Sequence, residues 1–155
     1  LSDGDRQRID IGLVGTVTNV NAPLIKLLCA ADTIPVIAPI AISAAGSKLN
    51  CNADTAAGEV AAAIGAEKFV VVSDTHGIRL DPKDPATAVT TADEAQIREM
   101  IRTGVIAGGM LPKVEACLRA LAGGVQRTHI IDGNYPHALL LEIFTERGVG
   151  TLIQK

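Results

Sequence analysis

The chain has 155 residues, 48% of them hydrophobic and 20% charged, and its 14 Lys and Arg against 17 Asp and Glu leave a formal net charge of −3. That length predicts one domain, and that composition a packed core rather than a disordered chain. A slightly acidic balance without any Lys/Arg run excludes a nucleic-acid or anionic-membrane surface, where clustered positive charge supplies most of the affinity.

No apolar stretch reaches the ~20 residues that a bilayer span needs, and the first ten residues, LSDGDRQRID, are polar rather than signal-like. With 2% aromatics and no Trp, the core is built from Ala, Val, Ile and Leu, and base-stacking platforms are excluded. Cys29, Cys51 and Cys117 are distant and odd in number, which predicts reduced thiols in a cytosol-like compartment rather than disulfides or a zinc site. Beginning at Leu1 and running at once into a strand-like pattern, the chain reads as cut from something longer.

Ile9 to Val20 alternates apolar with small or polar residues around Gly12 and Gly15, predicting a twisted hairpin. Pro23 sits where a first helical turn belongs, and Leu24, Leu27 and Leu28 make one apolar stripe. Ile34 to Ile40 reads as a short buried strand bounded by prolines. A small hairpin at Ala45-Gly46 leads through Asn50-Cys-Asn-Ala-Asp54 into an Ala-rich helix capped by its Asn and Asp. Lys68 to Ser73 is nearly all β-branched, as in a strand covered on both faces of a parallel sheet. A Pro-containing loop spans Arg79 to Thr91, and Thr91-Ala-Asp-Glu94 reads as a capping box for a helix ending at Gly104. A further helix starts at Met110, with Pro112 in its first turn and Gly123-Gly124 as its stop. Strand Thr128 to Ile131, helix Pro136 to Thr145 and strand Gly150 to Ile153 complete an α/β layer fold with a mainly parallel sheet.

Open α/β sheets bind ligands beyond the carboxyl ends of their strands, so Ser73, Asp74 and Gly77 stand first: Ser and Asp can hold a ribose, and Gly lets a ligand approach the backbone. The same SDTHG also reads as a plain turn. Val105 to Lys113 places a Gly pair and a lysine at a helix start, where free amides and Lys113 would cradle an anion, although the spacing is not that of a P-loop and such a helix entry taken alone is more often structural than catalytic. Asn50, Asn52 and Asp54 crowd one helix start beyond what capping needs, which suits holding a substrate and fixing a cationic side chain, with capping alone as the other reading. His76, His129 and His137 lack metal-ligand spacing and neighbour no nucleophile motif, so no metal cage or triad is assigned.

Seven ordered blocks, DIGLVG, IPVIAPI, LNCNADTAAGEVAAAIGAEK, SDTHGI, GGMLPKVEACLRAL, GGVQRTHIIDG and PHALLLEIFTERGVGTLI, span nearly the whole chain. In them the chain resembles the C-terminal, nucleotide-binding half of the acetylglutamate kinases, a branch of the amino acid kinase family. The resemblance implies that residues 1–155 are the ATP-binding portion of an incomplete three-layer αβα sandwich. It implies transfer of the ATP γ-phosphoryl group to the side-chain carboxylate of N-acetyl-L-glutamate in arginine biosynthesis, with Mg²⁺ carried on the nucleotide phosphates. Lys113 then stabilises charge on the leaving ADP side, Asp54 organises the catalytic lysines, and Asn50 and Asn52 meet the acetylglutamate. Ser73, Asp74, Thr75, His76, Gly77, Ile78, Arg79, Val105, Ile106, Ala107, Gly109 and Met110 match the nucleotide-binding stretches.

The last block resembles the arginine-inhibited version of the family, which implies an L-arginine effector site at His137, Glu142, Glu146 and Gly148. The resemblance further implies a homo-oligomer, dimer or hexamer, in the cytoplasm, or in a plastid for a plant-like source. The family's glycine-rich lysine segment and its substrate-grasping arginine have no counterpart before Ile9, so the chain alone is expected to bind nucleotide at best and to lack kinase turnover. Two other readings stand beside this one: another amino acid kinase, or a non-catalytic module that senses nucleotide or arginine.

Overall fold

A computed structural model of the protein describes residues 12–145 and 148–155. Residues 12–20 form no hairpin: Val14 makes one parallel bridge to Asn50, and the other half of the expected hairpin lies outside the described residues. Helix α1 (Ala22–Ala30) is capped by Asn21, whose side chain accepts from the Leu24 amide at 3.2 Å, with Pro23 in its first turn. Its leucine stripe is present but uncovered, and none of its residues is buried.

The strand expected over 34–40 is a second correction. Pairing begins only at β1 (Ile40–Ile42), which runs antiparallel to β2 (Lys48–Asn50) across a turn with Gly46 at φ +83°. Ile34 and Val36 are 88% and 95% exposed. Prolines 35 and 39 each remove a ladder donor, and the segment faces α1 and the helix at Ala53–Ile64 across open clefts instead of packing against them.

Helix α2 (Ala53–Ile64) starts at Asn52 and stops at Gly65 in the left-handed conformation. It packs along α4 (Met110–Ala122) so closely that a Cβ on Gly58 would stand 2.8 Å from the Ala116 carbonyl oxygen. Both cover one face of a sheet that joins β3 (Lys68–Ser73), β5 (Arg127–Asp132), β6 (Thr151–Gln154) and β4 (Thr91–Asp93) in the order β3-β5-β6-β4. β3 and β5 are parallel, as are β4 and β6, whereas β5 and β6 run antiparallel. Helix α3 (Glu94–Arg102) follows β4, and α5 (Ala138–Phe144) follows β5.

Alternation along β5 separates the layers. Ile130 joins the core formed with Val114, Cys117 and Leu121 of α4, while His129 reaches Glu142 of α5 on the opposite face. The expected αβα layering is therefore seen at β5. At β3 it is not complete: Phe69 and Val71 are buried, but Val72 on the other face is 58% exposed. The β-branched run that suggested a strand covered twice is an edge strand of this sheet among the described residues.

The capping box also sits two residues later than expected. Asp93 is the cap, accepting from the Gln96 amide at 2.8 Å while the Gln96 side chain accepts from the Asp93 amide at 2.9 Å. Thr91 belongs to β4 instead, because pairing with Leu152 claims its backbone.

Candidate functional site

Two helix starts meet at the centre of the site. Asp54 lies in the first turn of α2 and Lys113 in that of α4, 59 residues apart, and Lys113 Nζ stands 3.1 Å from Asp54 Oδ2 and 3.4 Å from Oδ1. Their side chains are 21% and 22% exposed, so the pair is held out of bulk water while each member keeps access to a ligand. The Gly58 contact sets this distance: Gly58 is one turn beyond Asp54 on the same face of α2, and Ala116 nearly one turn beyond Lys113.

Of the two asparagines expected beside Asp54, Asn52 spends its side-chain oxygen on capping, accepting from the Thr55 amide at 2.9 Å and the Thr55 hydroxyl at 3.1 Å. Asn50, at the end of β2, is exposed and its side-chain amide makes no hydrogen bond among the described residues.

A cavity of about 700 Å³ opens beside Lys113. It is lined by residues 74–79 with Pro82 after β3, and by residues 105–107, Gly109, Met110 and Lys113 before and within α4. The structure thus brings together every residue expected at the nucleotide except Ser73, whose hydroxyl bonds Asp74 Oδ1 at 3.2 Å and Thr75 Oγ1 at 3.1 Å and orders the turn from behind. Gly77 is required here: its φ is +77°, and a Cβ would lie 2.7 Å from Thr151 Oγ1. That hydroxyl accepts from the Ile78 amide at 2.9 Å and donates to the Val89 carbonyl at 2.6 Å, tying the cavity loop to β6.

The expected amide cradle at the start of α4 is smaller than its sequence suggests. The amides of Met110 and Leu111 already donate to Ala107 and Gly108 at 3.3 and 3.2 Å, and Pro112 has none to give. What remains is the amides of Gly108 and Gly109, unengaged among the described residues, together with Lys113.

Three features were not singled out from the sequence. Asp132, at the end of β5, is buried, pairs with His76 Nδ1 across the cavity loop and accepts from the Asn134 amide at 2.8 Å. Because β5 runs parallel to β3 with Ser73 opposite Asp132, the rule that points to the end of β3 also points here. His129 and Glu142 form a buried pair at 2.7 Å. Among the described residues, Arg79 Nε is buried without an acceptor. Behind Lys113, burial pushes the Cys117 thiol up to about 12 against a hydrogen bond with Thr128, so it packs as a neutral group.

At the site expected for arginine, Glu142 is committed within the fold. Besides His129, it accepts from the Val149 and Gly150 amides at 2.7 and 2.9 Å. Burial pushes its carboxyl upward, but these bonds together outweigh that and hold it below the usual carboxylate range. Gly148 passes close to this carboxylate: a Cβ there would lie 2.6 Å from Glu142 Oε2. His137 is exposed at the start of α5, and Glu146 lies outside the described residues. Among the described residues no three His, Cys, Asp or Glu side chains converge on a metal site, and no helix is long and apolar enough to cross a membrane.

The amino acid kinase family model matches residues 1–132. The acetylglutamate kinase of Pelotomaculum thermopropionicum is 47% identical over 153 residues, 99% of this chain and 52% of that protein. That of Trichormus variabilis is 52% identical over 143 residues, 92% of this chain and 48% of its own. The chain therefore spans about half the length of these curated relatives. Among solved structures, N-acetylglutamate synthase from Neisseria gonorrhoeae, complexed with coenzyme A and L-arginine, superposes with a TM-score of 0.83 at 26% identity, over all of this chain and 34% of that one. Carbamate kinase from Giardia lamblia bound to AMP-PNP shares the fold at a TM-score of 0.67 and 20% identity, over 88% of this chain and 45% of its own.

Proposed function

The chain belongs to the amino acid kinase family, and from that premise we propose that it is the nucleotide-binding portion of an acetylglutamate kinase, moving the ATP γ-phosphoryl group to the side-chain carboxylate of N-acetyl-L-glutamate. The observation that carries this reading is the Lys113–Asp54 pair beside the cavity. A carboxylate acceptor is already ionised at neutral pH, so no general base is needed. One of its oxygens bonds to the γ-phosphorus, the bond to the β-phosphate oxygen breaks, and ADP leaves. The task left to the protein is alignment and neutralisation of the charge spreading over the transferring group.

Lys113 supplies a positive charge at the phosphate end, and Asp54 fixes the position of its Nζ so that little reorganisation is needed during transfer. The 74–79 loop and residues 105–107 hold the nucleoside, and Asn50 offers a free amide to the acyl substrate. Magnesium, when bound, neutralises the nucleotide phosphates; with no converging side-chain ligands among the described residues, it would arrive on them. The donors that fit the phosphates are Lys113 and the amides of Gly108 and Gly109.

We place the protein in the cytosol as a homo-oligomer, and we propose L-arginine as an effector near α5, supported by the arginine that the gonococcal synthase structure carries. An arginine guanidinium there would have to share Glu142 with His129, and an arginine-dependent rise in melting temperature at millimolar ligand is the expected sign.

The catalytic reading is tested in the complete polypeptide that contains this segment. Lys113→Ala is expected to lower acyl-phosphate formation by about 10²- to 10³-fold while MgADP affinity stays within about threefold. An unaltered rate would remove Lys113 from the chemistry. On the 155-residue chain, calorimetric titration is expected to give saturable MgADP binding that weakens in Asp74→Ala.

A further inference from the structure

We infer that Asp132 is a positioning residue for the nucleotide: shielded at the end of β5, it fixes the His76 ring so that Nε2 accepts a hydrogen bond from a ribose hydroxyl. The inference rests on the nucleotide reading, which already includes His76. It adds Asp132, which lies outside that stretch, and the part of the nucleotide that the ring meets.

Asp132 is 4% exposed, so it acts on a ligand only through a neighbour. Its Oδ1 is occupied locally, accepting from the Asn134 backbone amide at 2.8 Å and the Asn134 side-chain amide at 3.1 Å in the turn after β5. That turn needs one oxygen. The other, Oδ2, meets His76 Nδ1. The two come together because Asp132 stands opposite Ser73 in the parallel register of β5 and β3, and His76 follows Ser73 in the cavity loop. The His76 side chain is 62% exposed and lines the cavity. A ring so exposed samples several rotamers when left alone, whereas a buried carboxylate that needs a second donor selects one of them.

The same contact decides what the ring can bind. A carboxylate offers only lone pairs, so in the neutral imidazole the hydrogen sits on Nδ1 and Nε2 keeps its lone pair. Nδ1 being committed, Nε2 is the polar atom the ring has left for a ligand, and it makes no hydrogen bond among the described residues. Phosphate oxygens are acceptors and gain nothing from a lone pair; a hydroxyl, which donates, does. Asp74, on the same loop, also lines the cavity, and its carboxylate is a second acceptor there. Two acceptors on one loop suit the ribose, whose 2′ and 3′ hydroxyls are neighbouring donors, whereas an amino group on the base edge would call for one. The phosphates are left to the donors of α4 and its leading turn, Lys113, Gly108 and Gly109.

The test compares the wild-type chain with Asp132→Asn and with His76→Phe, which keeps a ring at an exposed position and removes both nitrogens; melting curves show which proteins are folded. In Asp132→Asn the side-chain oxygen can stay with the Asn134 amide, which turns an NH₂ toward Nδ1 and moves the ring hydrogen to Nε2. Nitrogen-15 NMR of histidine-labelled protein, at a pH where the ring is neutral, is expected to report the Nδ1–H tautomer of His76 in the wild type and the Nε2–H tautomer in Asp132→Asn. Each protein is then titrated with the magnesium complexes of ADP, 2′-deoxy-ADP, 3′-deoxy-ADP and inorganic pyrophosphate. The wild type is expected to bind ADP about fivefold more tightly than one of the deoxy analogues. Both variants are expected to lose that preference while binding the weaker analogue and pyrophosphate as the wild type does. Equal weakening of all four ligands in Asp132→Asn, with the tautomer unchanged, would reduce Asp132 to a turn former and overturn the inference. So would a wild type that binds ADP and both analogues alike, and so would a preference retained in His76→Phe, which decides the matter if Asp132→Asn does not fold. Failure of the wild type to bind any nucleotide would instead overturn the nucleotide reading itself, a result distinguishable from the others.

Discussion

Glu142 carries more of the fold than its place on a short helix suggests. Its two oxygens take His129 and two consecutive amides, Val149 and Gly150, so one carboxylate joins β5, α5 and the start of β6. Its pKa is depressed in the folded state, so the stability it contributes is fully present above its ordinary value of 4.5 and is lost as the pH falls through the lower folded value. Glu142→Gln is expected to cost about 1–3 kcal/mol at neutral pH and to flatten the decline of melting temperature below about pH 4.5. An acid limb as steep as that of the wild type would place the titrating group elsewhere. At this scale the Asn52 cap was legible because its partner is local, and the resemblance pointed to Lys113 and Asp54, which the structure brings within 3.1 Å of each other. The His129–Glu142 and His76–Asp132 contacts join separate elements, and no local spacing announces them.

At the scale of elements, the site depends on how near two helices come. Gly58 leaves no room between α2 and the Ala116 backbone, and backbone cannot move aside as a side chain can. Gly58→Ala is expected to force the helices apart, costing about 1–3 kcal/mol in thermal unfolding and, by lengthening the Lys113–Asp54 contact, lowering acyl-phosphate formation by the complete polypeptide if the proposed role of that pair holds. A retained rate with reduced stability would show that the pair tolerates the separation. The helices that α2 and α4 became were legible, because caps, prolines and glycines mark their ends within the sequence itself. Residues 34–40 misled because an apolar run states that burial is needed, not what provides it. β3 was recognised with its full extent, yet its β-branched residues implied cover on a face that stays open here.

For the molecule as a whole, a second uncovered apolar surface is an open trough. Leu24 and Leu28 of α1, the 33–44 segment and Val60 of α2 enclose about 760 Å³, and Ile34, Val36 and Ile42 stand exposed along it. Exposed apolar area on this scale, beside a sheet edge with free backbone donors, drives association. The isolated 155-residue chain is therefore expected to sediment as larger species when its concentration is raised through the micromolar range, and Ile34→Lys with Val36→Glu to suppress this without lowering the melting temperature. Sedimentation unchanged by the charges would assign the association to the β3 edge instead. The place of β6 has a different outcome, one of timing. It is inserted between β5 and β4, and β4 pairs with no other strand among the described residues. During synthesis β3, the cavity loop and α4 all leave the ribosome before Thr151, whose hydroxyl pins that loop. The cavity consequently cannot take its final shape until its most distant support has been translated, and a nascent chain stalled before residue 151 would carry the cavity residues without the cavity.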